Sequence, residues 1–157
     1  HIYARVGSFT VKATAPYAIS NVTIKLKNVK TGGVYNLRTG KGKTNATGWS
    51  SLVPADGTDE TVFTLSSDSI ASGGSKQVSN DFYIVPGSYS LEASWTATAG
   101  DYTREYTSVV STSTITIQRG KTNNITASLG GSATEIVFSV SLTAWGTNAI
   151  TATFSNS

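Results

Sequence analysis

Apolar residues along this chain recur at every second position, in short runs separated by stretches rich in Gly, Pro, Asn and Ser. In residues 2–13, Phe9, Val11 and Ala13 fall on one face, and Pro16 with Tyr17 predicts the turn that ends the run. Residues 21–29 set Val22, Ile24 and Leu26 against Lys25 and Lys27, the pattern of a half-buried strand. Thr31-Gly32-Gly33 predicts a hairpin turn that folds residues 34–37 back on that strand. Residues 39–60 are mostly Gly, Lys, Thr and Asp, broken by an apolar stretch at 49–53, and predict a long surface excursion. Val62, Phe63 and Leu65 mark a short strand, and residues 66–80 predict a second polar loop. Residues 82–85 run into Pro86-Gly87, the composition of a type II turn whose glycine supplies positive φ. Tyr89, Leu91, Ala93, Trp95 and Ala97 then form an unbroken inward face. Residues 102–110, Ile115 with Ile117, Ile125 with Ala127 and Leu129, and Ile136 with Phe138, Val140 and Leu142 continue the pattern. No window carries a helical stripe with caps.

Short strands at this spacing with no helices between them predict an all-β fold, a two-layer Ig-like sandwich with Greek-key connections. With 157 residues and no internal repeat, residues 1–157 read as a single domain that buries roughly 70% of its unfolded surface. The end of the sequence carries a surplus. Residues 135–142 read as body core and Trp145-Gly146 as a boundary, after which Ile150, Ala152 and Phe154 alternate once more. Residues 147–157 are therefore either the domain's own edge strand or a strand offered to a neighbour.

Composition narrows the chemistry. There is no Cys, which excludes a disulfide framework, a thiolate metal site and a cysteine nucleophile. The one His is the first residue, and the acids are scattered except for Asp56, Asp59 and Glu60. With no base beside a nucleophile and no pair of carboxylates, an enzyme is not expected. The loop acids match no calcium-loop spacing, so no metal or cofactor is expected either. No apolar run approaches the ~20 residues of a membrane span. Only 13% of residues are charged and Thr, Ser, Asn and Gly abound, which points to export. The net charge of +3 suggests an anionic partner, but Lys12, Lys25 and Lys27 alternate with apolar residues and read as a solvated sheet face. Lysines this dispersed and aromatics this inward-facing do not make a nucleic-acid groove. Trp95 reads as core; Trp49, in the first long loop, and Trp145, just past the last strong strand, read as core or hinge ahead of ligand stacking, with Trp49 the candidate ligand-contact aromatic. Asn-x-Thr sequons at Asn21, Asn45 and Asn124 are common in so Thr-rich a chain and decide nothing. Asp68-Ser69-Ile70 resembles the acceptor of a bacterial O-glycosylation system of Bacteroidetes.

Several stretches, in order, resemble the fimbrillin family of Bacteroidales, the type V pilins. They are His1-Ile2-Tyr3-Ala4-Arg5-Val6, residues 82–88 before a Tyr-x-Leu strand, Gly120-Lys121-Thr122-Asn123-Asn124-Ile125-Thr126, and Ile136-Val137-Phe138-Ser139-Val140 followed by Trp145-Gly146. The resemblance implies a lipoprotein precursor of two transthyretin-like β-sandwiches, of which this chain would be the C-terminal domain, with an upstream segment removed. It implies a cell-surface location in outer-membrane-attached fimbriae, with neighbouring pilin subunits as partners. It also implies polymerisation by proteolytic opening of a groove and its filling by a neighbour's strand. Arg5 invites comparison with the cleavage site but lies in the motif that opens the second domain, and is expected to be structural. The donor segment matching this chain is Ile150, Ala152 and Phe154.

Two functions of different classes follow. The first is a structural fimbrial subunit or fimbria-associated adhesin. The second is a carbohydrate-binding or otherwise adhesive surface module that never polymerises, contacting a host or bacterial protein or glycan, with Trp49 as the ligand-contact aromatic.

Overall fold

Alternating residues need a second surface to hide their apolar face, and the computed structural model supplies it as two sheets packed face to face. The structure describes residues 2–54, 60–66, 68–112, 114–131 and 137–144. In chain order the elements are β1 (Ala4–Ala13), β2 (Ala18–Lys27), β3 (Lys30–Tyr35), α1 (Leu37–Gly40), β4 (Trp49–Pro54), β5 (Glu60–Leu65), β6 (Ser75–Ser79), β7 (Phe82–Ile84), β8 (Gly87–Tyr89), β9 (Leu91–Ala99), β10 (Tyr102–Val110), β11 (Ile115–Ile117), β12 (Lys121–Leu129) and β13 (Val137–Ala144). One sheet runs β13-β12-β1, with β6 and β7 sharing the far edge of β1; the other runs β10-β9-β2-β5. β8 pairs with β11 and β3 with β4 as separate ribbons. The fold is an all-β sandwich, as the alternation predicts, and consecutive strands repeatedly change layers.

The layers meet through large apolar side chains. Phe9 of β1 stacks on Phe63 of β5 at 4.6 Å between ring centroids, and Phe63 leans on Phe82 at 5.5 Å. Trp95 of β9 is core, as expected, and its Nε1 donates to the Gly130 carbonyl of the opposite layer at 2.8 Å. Val22, Ile24 and Leu26 are buried, and so are Leu91, Ala93, Trp95 and Ala97.

β1 does more than the sequence pattern announces. Ala4 and Val6 are buried on even positions, whereas Phe9, Val11 and Ala13 are buried on odd ones. The change of parity falls at a bulge between Val6 and Ser8, where β1 runs parallel to β12 and Val6 opposes Asn123 while Ser8 opposes Asn124. The extra residue is Gly7. A Cβ there would sit 2.5 Å from Thr122 Cγ2 and 2.9 Å from Asn124 Oδ1, so the bulge needs glycine for space.

The adjoining turn is closed by a buried amide. Asn123 is fully buried; its Nδ2 lies 3.0 Å from the Arg5 carbonyl, 3.1 Å from that of Gln118 and 3.2 Å from that of Lys121, and its Oδ1 accepts from the Gln118 N–H at 3.0 Å. One side chain thus joins β1 to the β11–β12 turn, whose Gly120 takes φ +71. At the start of the same strand of the sandwich, the Arg5 guanidinium pairs with Asp81 at 3.0 Å.

Four local expectations are corrected. Thr31-Gly32-Gly33 is not a turn but the middle of β3, which pairs with β4 and not with β2; the chain reverses earlier, around Asn28 at φ 62. Gly33 serves close approach instead, since a Cβ would meet the Ser50 carbonyl oxygen at 2.7 Å. Residues 66–80 are not all loop: β6 lies within them and completes the edge of β1, its polarity suiting an edge position. Gly87 lacks the positive φ of a type II turn and is the first residue of β8, opposite Ile117. Leu142 is 40% exposed rather than core, because β13 lies at the margin of its sheet.

Two predictions follow from the buried polar contacts. Asn123→Leu leaves the carbonyls and the Gln118 N–H without their partner, and should lower unfolding free energy by about 3 kcal/mol in urea titration; Asn124→Ala should cost less than about 1 kcal/mol. Tyr89 donates to the Val85 carbonyl across Pro86-Gly87 and is buried. Burial pushes its phenol up to about 12 from an ordinary 10.0, offset in part by a backbone hydrogen bond from Lys30. The folded state therefore holds this proton more tightly than the unfolded chain. Its contribution to stability is complete below pH 10 and is lost as pH rises through about 12. Tyr89→Phe should cost about 1 kcal/mol at neutral pH and show a shallower loss of stability across that alkaline window by chemical denaturation.

Candidate functional site: an arginine cleft and an open sheet edge

The β3–β4 ribbon and α1 belong to neither main sheet, and local capping fixes their shape. Asn36 caps α1, its Oδ1 accepting from the N–H of Arg38 at 2.9 Å and of Thr39 at 3.2 Å. The Asn36 N–H donates to the Gly48 carbonyl at 2.8 Å, so the loop returns to start β4 with Trp49 opposite Tyr35. Trp49 is half-buried between two tyrosines, with centroids 5.0 Å from Tyr3 and 5.3 Å from Tyr35 and both rings tilted by 56°. Its Nε1 is out of water and has no hydrogen-bond partner among the described residues.

Arg119, in the β11–β12 turn, closes this cluster from the other side. Its guanidinium lies 5.7 Å from the Tyr35 ring centroid, and Nη1 donates to the Tyr35 hydroxyl and, at 2.9 Å, to the Gly40 carbonyl. The Arg119 N–H donates to the Thr44 carbonyl at 2.8 Å, tying the loop to the turn. Gly40 is buried so close to Tyr35 that any side chain would collide with the ring. Ile2, Tyr35, Leu37, Lys41, Gly42 and Arg119 line a cleft of about 320 Å³.

Charge is divided unevenly over the molecule. Lys25 and Lys27 on β2 form a ladder with Glu60 and Glu92, at 2.7 Å for Lys27–Glu60 and 3.4 Å for Lys25–Glu60. The hydrogen bond to Glu60 raises the Lys27 pKa, and the same bond lowers that of Glu60. Asp68 pairs with Lys76. By contrast, among the described residues no carboxylate pairs with Arg38, Lys41, Lys43, Arg119 or Lys121, and of these Lys41 and Arg119 line the cleft. No group of three or more metal-ligating side chains occurs among the described residues, and no described helix is long and apolar enough to cross a membrane.

The sheet margins differ in kind. β10 is interrupted between Tyr106 and Val109, with Ser108 at φ 50, and carries Arg104 and Glu105. β6 is short and presents Lys76. β13 pairs with β12 without any register shift, from Ser128 opposite Val137 to Lys121 opposite Ala144, and bears no charge. Among the described residues its outer edge has no strand partner. Ile150, Ala152, Phe154 and Trp145 lie outside the described residues, as do Asp56 and Asp59. Of the sequon asparagines, Asn21 and Asn45 are exposed, whereas Asn124 is half-buried and accepts from the Ser8 hydroxyl at 3.1 Å.

Sequence reasoning placed Trp49 in a candidate position but did not gather Tyr3 and Tyr35 around it or bring Lys41 and Arg119 to the cleft beside Tyr35. They come from three separated segments, and only the topology joins them.

No protein-family profile matches the chain, and no curated protein sequence does. Among solved structures, it is similar to a candidate cell-adhesion protein from Bacteroides ovatus, at 13% identity and a TM-score of 0.41. That likeness covers 95% of this chain and 47% of the other, so the chain spans about half the length of the protein it matches.

Proposed function

We propose that this chain is an adhesive surface subunit of the fimbrial kind, the C-terminal sandwich of a larger exported protein, which joins its neighbours by strand complementation. The observation that supports this reading is the margin formed by β13. It is eight residues long, uncharged and in unbroken register, and the alternating apolar segment of Ile150, Ala152 and Phe154 follows it in the sequence. Natural edges of that description are normally blunted by charge, bulge or cover, as β10 and β6 are here. In strand addition the main-chain ladder gives affinity and alternate side chains fill pockets. Burying three such side chains contributes about 3 to 6 kcal/mol before ordering costs. Deleting residues 150–157 from the full-length protein should abolish polymerisation, seen by electron microscopy, and leave the melting temperature of the monomer unchanged. Filaments of normal length from that deletion would remove the donor role.

A second reading, a carbohydrate-binding surface module, is favoured by the Tyr3–Trp49–Tyr35 cluster beside an open cleft. It expects glycan-array signals from the wild type that fall at least tenfold in Trp49→Ala. Arrays without signal, or a signal indifferent to the substitution, would count against it.

A further inference from the structure

We propose that the cleft at Arg119 and Lys41 is a receptor for the carboxylate of an acidic sugar, within a chain of repeated uronic acids. This rests on the carbohydrate reading and moves its centre from the Trp49 ring to the Arg119 guanidinium.

The geometry of Arg119 carries the argument. A guanidinium has five N–H donors, and the Nε–H and Nη2–H pair forms the parallel fork that fits a carboxylate. The same pair of donors meets a carboxylate at Arg5, whose Nε and Nη2 both donate to one oxygen of Asp81, Oδ2, at 3.2 and 3.0 Å. In Arg119 it is Nη1 that is consumed, by the Tyr35 hydroxyl and the Gly40 carbonyl. Among the described residues the Nε–Nη2 fork has no partner, and no acid there answers either it or Lys41. An arginine held in place by neutral oxygens and an aromatic face, and left without a counter-charge, is preorganised for an anion from outside.

The walls select among anions. Ile2, Leu37 and the Tyr35 ring give an apolar surface beside the cations, and Leu37 is 74% exposed, a large apolar side chain left uncovered. A pyranose ring presents an apolar C–H face with a carboxylate at its rim, matching that division. Lys41 and Arg119 line the cleft, and Arg38, Lys43 and Lys121 follow its lining residues within two positions along the chain, so that positive charge recurs beside it and suits a ligand that repeats its charge. Nucleic acid also repeats its charge, but base stacking needs open ring faces. Here Tyr3, Trp49 and Tyr35 pack against one another at 56° and do not form a parallel platform.

The test is calorimetric titration of the full chain with oligogalacturonate, with the same oligomer as its methyl ester, and with a single-stranded oligonucleotide. The expected result is binding of the acid form, no measurable binding of the ester, and at least tenfold weaker binding of the oligonucleotide. Lys41→Ala, at an exposed side chain, should weaken binding about tenfold with an unchanged melting temperature. Arg119→Gln should abolish it, its folding checked by the same melt. Equal binding of acid and ester would overturn the anion receptor while leaving a carbohydrate module standing. Binding of neither overturns the receptor, and an oligonucleotide that binds as tightly as the acid would show an unselective basic patch and overturn it as well.

Discussion

The structure depends on β1 being held along both edges at once. It lies between β12 on one side and β6 with β7 on the other, and its buried residues must face the second sheet along the whole length. A regular strand would bury either Ala4 and Val6 or Phe9, Val11 and Ala13, because successive side chains alternate. The bulge at Gly7 lets it bury all five. Were Gly7 an ordinary member of the pleat, Phe9 would point to solvent, and its stacking on Phe63, which helps hold the two layers together, would be lost. The parallel pairing with β12 is what fixes the position of the bulge, since Thr122 and Asn124 leave no room for a side chain at residue 7.

The same region connects the core to the surface cleft. Asn123 lies between the two residues that crowd Gly7, and its amide fixes the carbonyls of Gln118 and Lys121 and the N–H of Gln118. Arg119 and Gly120 lie between those anchors. The turn therefore presents Arg119 to Tyr35 and Gly40 from a base set by buried hydrogen bonds, not from a free loop. An amide with both donor and acceptor satisfied is a rigid element because any movement leaves a buried group unpaired. Rigidity at the base is what lets a side chain on a turn act as a positioned group.

Strand existence and facing were legible in the sequence wherever one face was continuously apolar, as in β2 and β9, because period-two alternation reports burial on one side directly. It failed where burial was not the organising force. β6 is polar because it is a margin strand, and composition made it look like loop. Thr31-Gly32-Gly33 has the composition of a turn, yet its glycines serve the close approach of β4. In Phe82 to Ile84 and the strand after it, Pro86 and Gly87 suggested a tight turn, but pairing with β11 keeps Gly87 extended. The cleft was illegible for another reason. Tyr3, Tyr35, Trp49 and Arg119 are far apart in sequence, and no local spacing encodes their meeting; only Trp49 drew notice, by size and loop position.

The open edge and the cleft also lie together, which bears on how one domain could serve two ends. Lys121 opposes Ala144, so β13 finishes beside the turn that carries Arg119. The sequence beyond Ala144 therefore departs from the basic end of the sandwich. The opposite end of β12, at Leu129, meets Ala13 of β1, and the hairpin to β13 begins there. A strand passed to a neighbour from this position would bring that neighbour close to the cleft, whereas the margin at β10, with its bulge and its Arg104 and Glu105, lies in the other sheet. Charge or a bulge thus marks the margins at β10 and β6, and β13 carries neither. Selection against edge pairing acts on every exposed strand. An eight-residue margin in unbroken register and without charge is the kind of edge on which that selection acts most strongly.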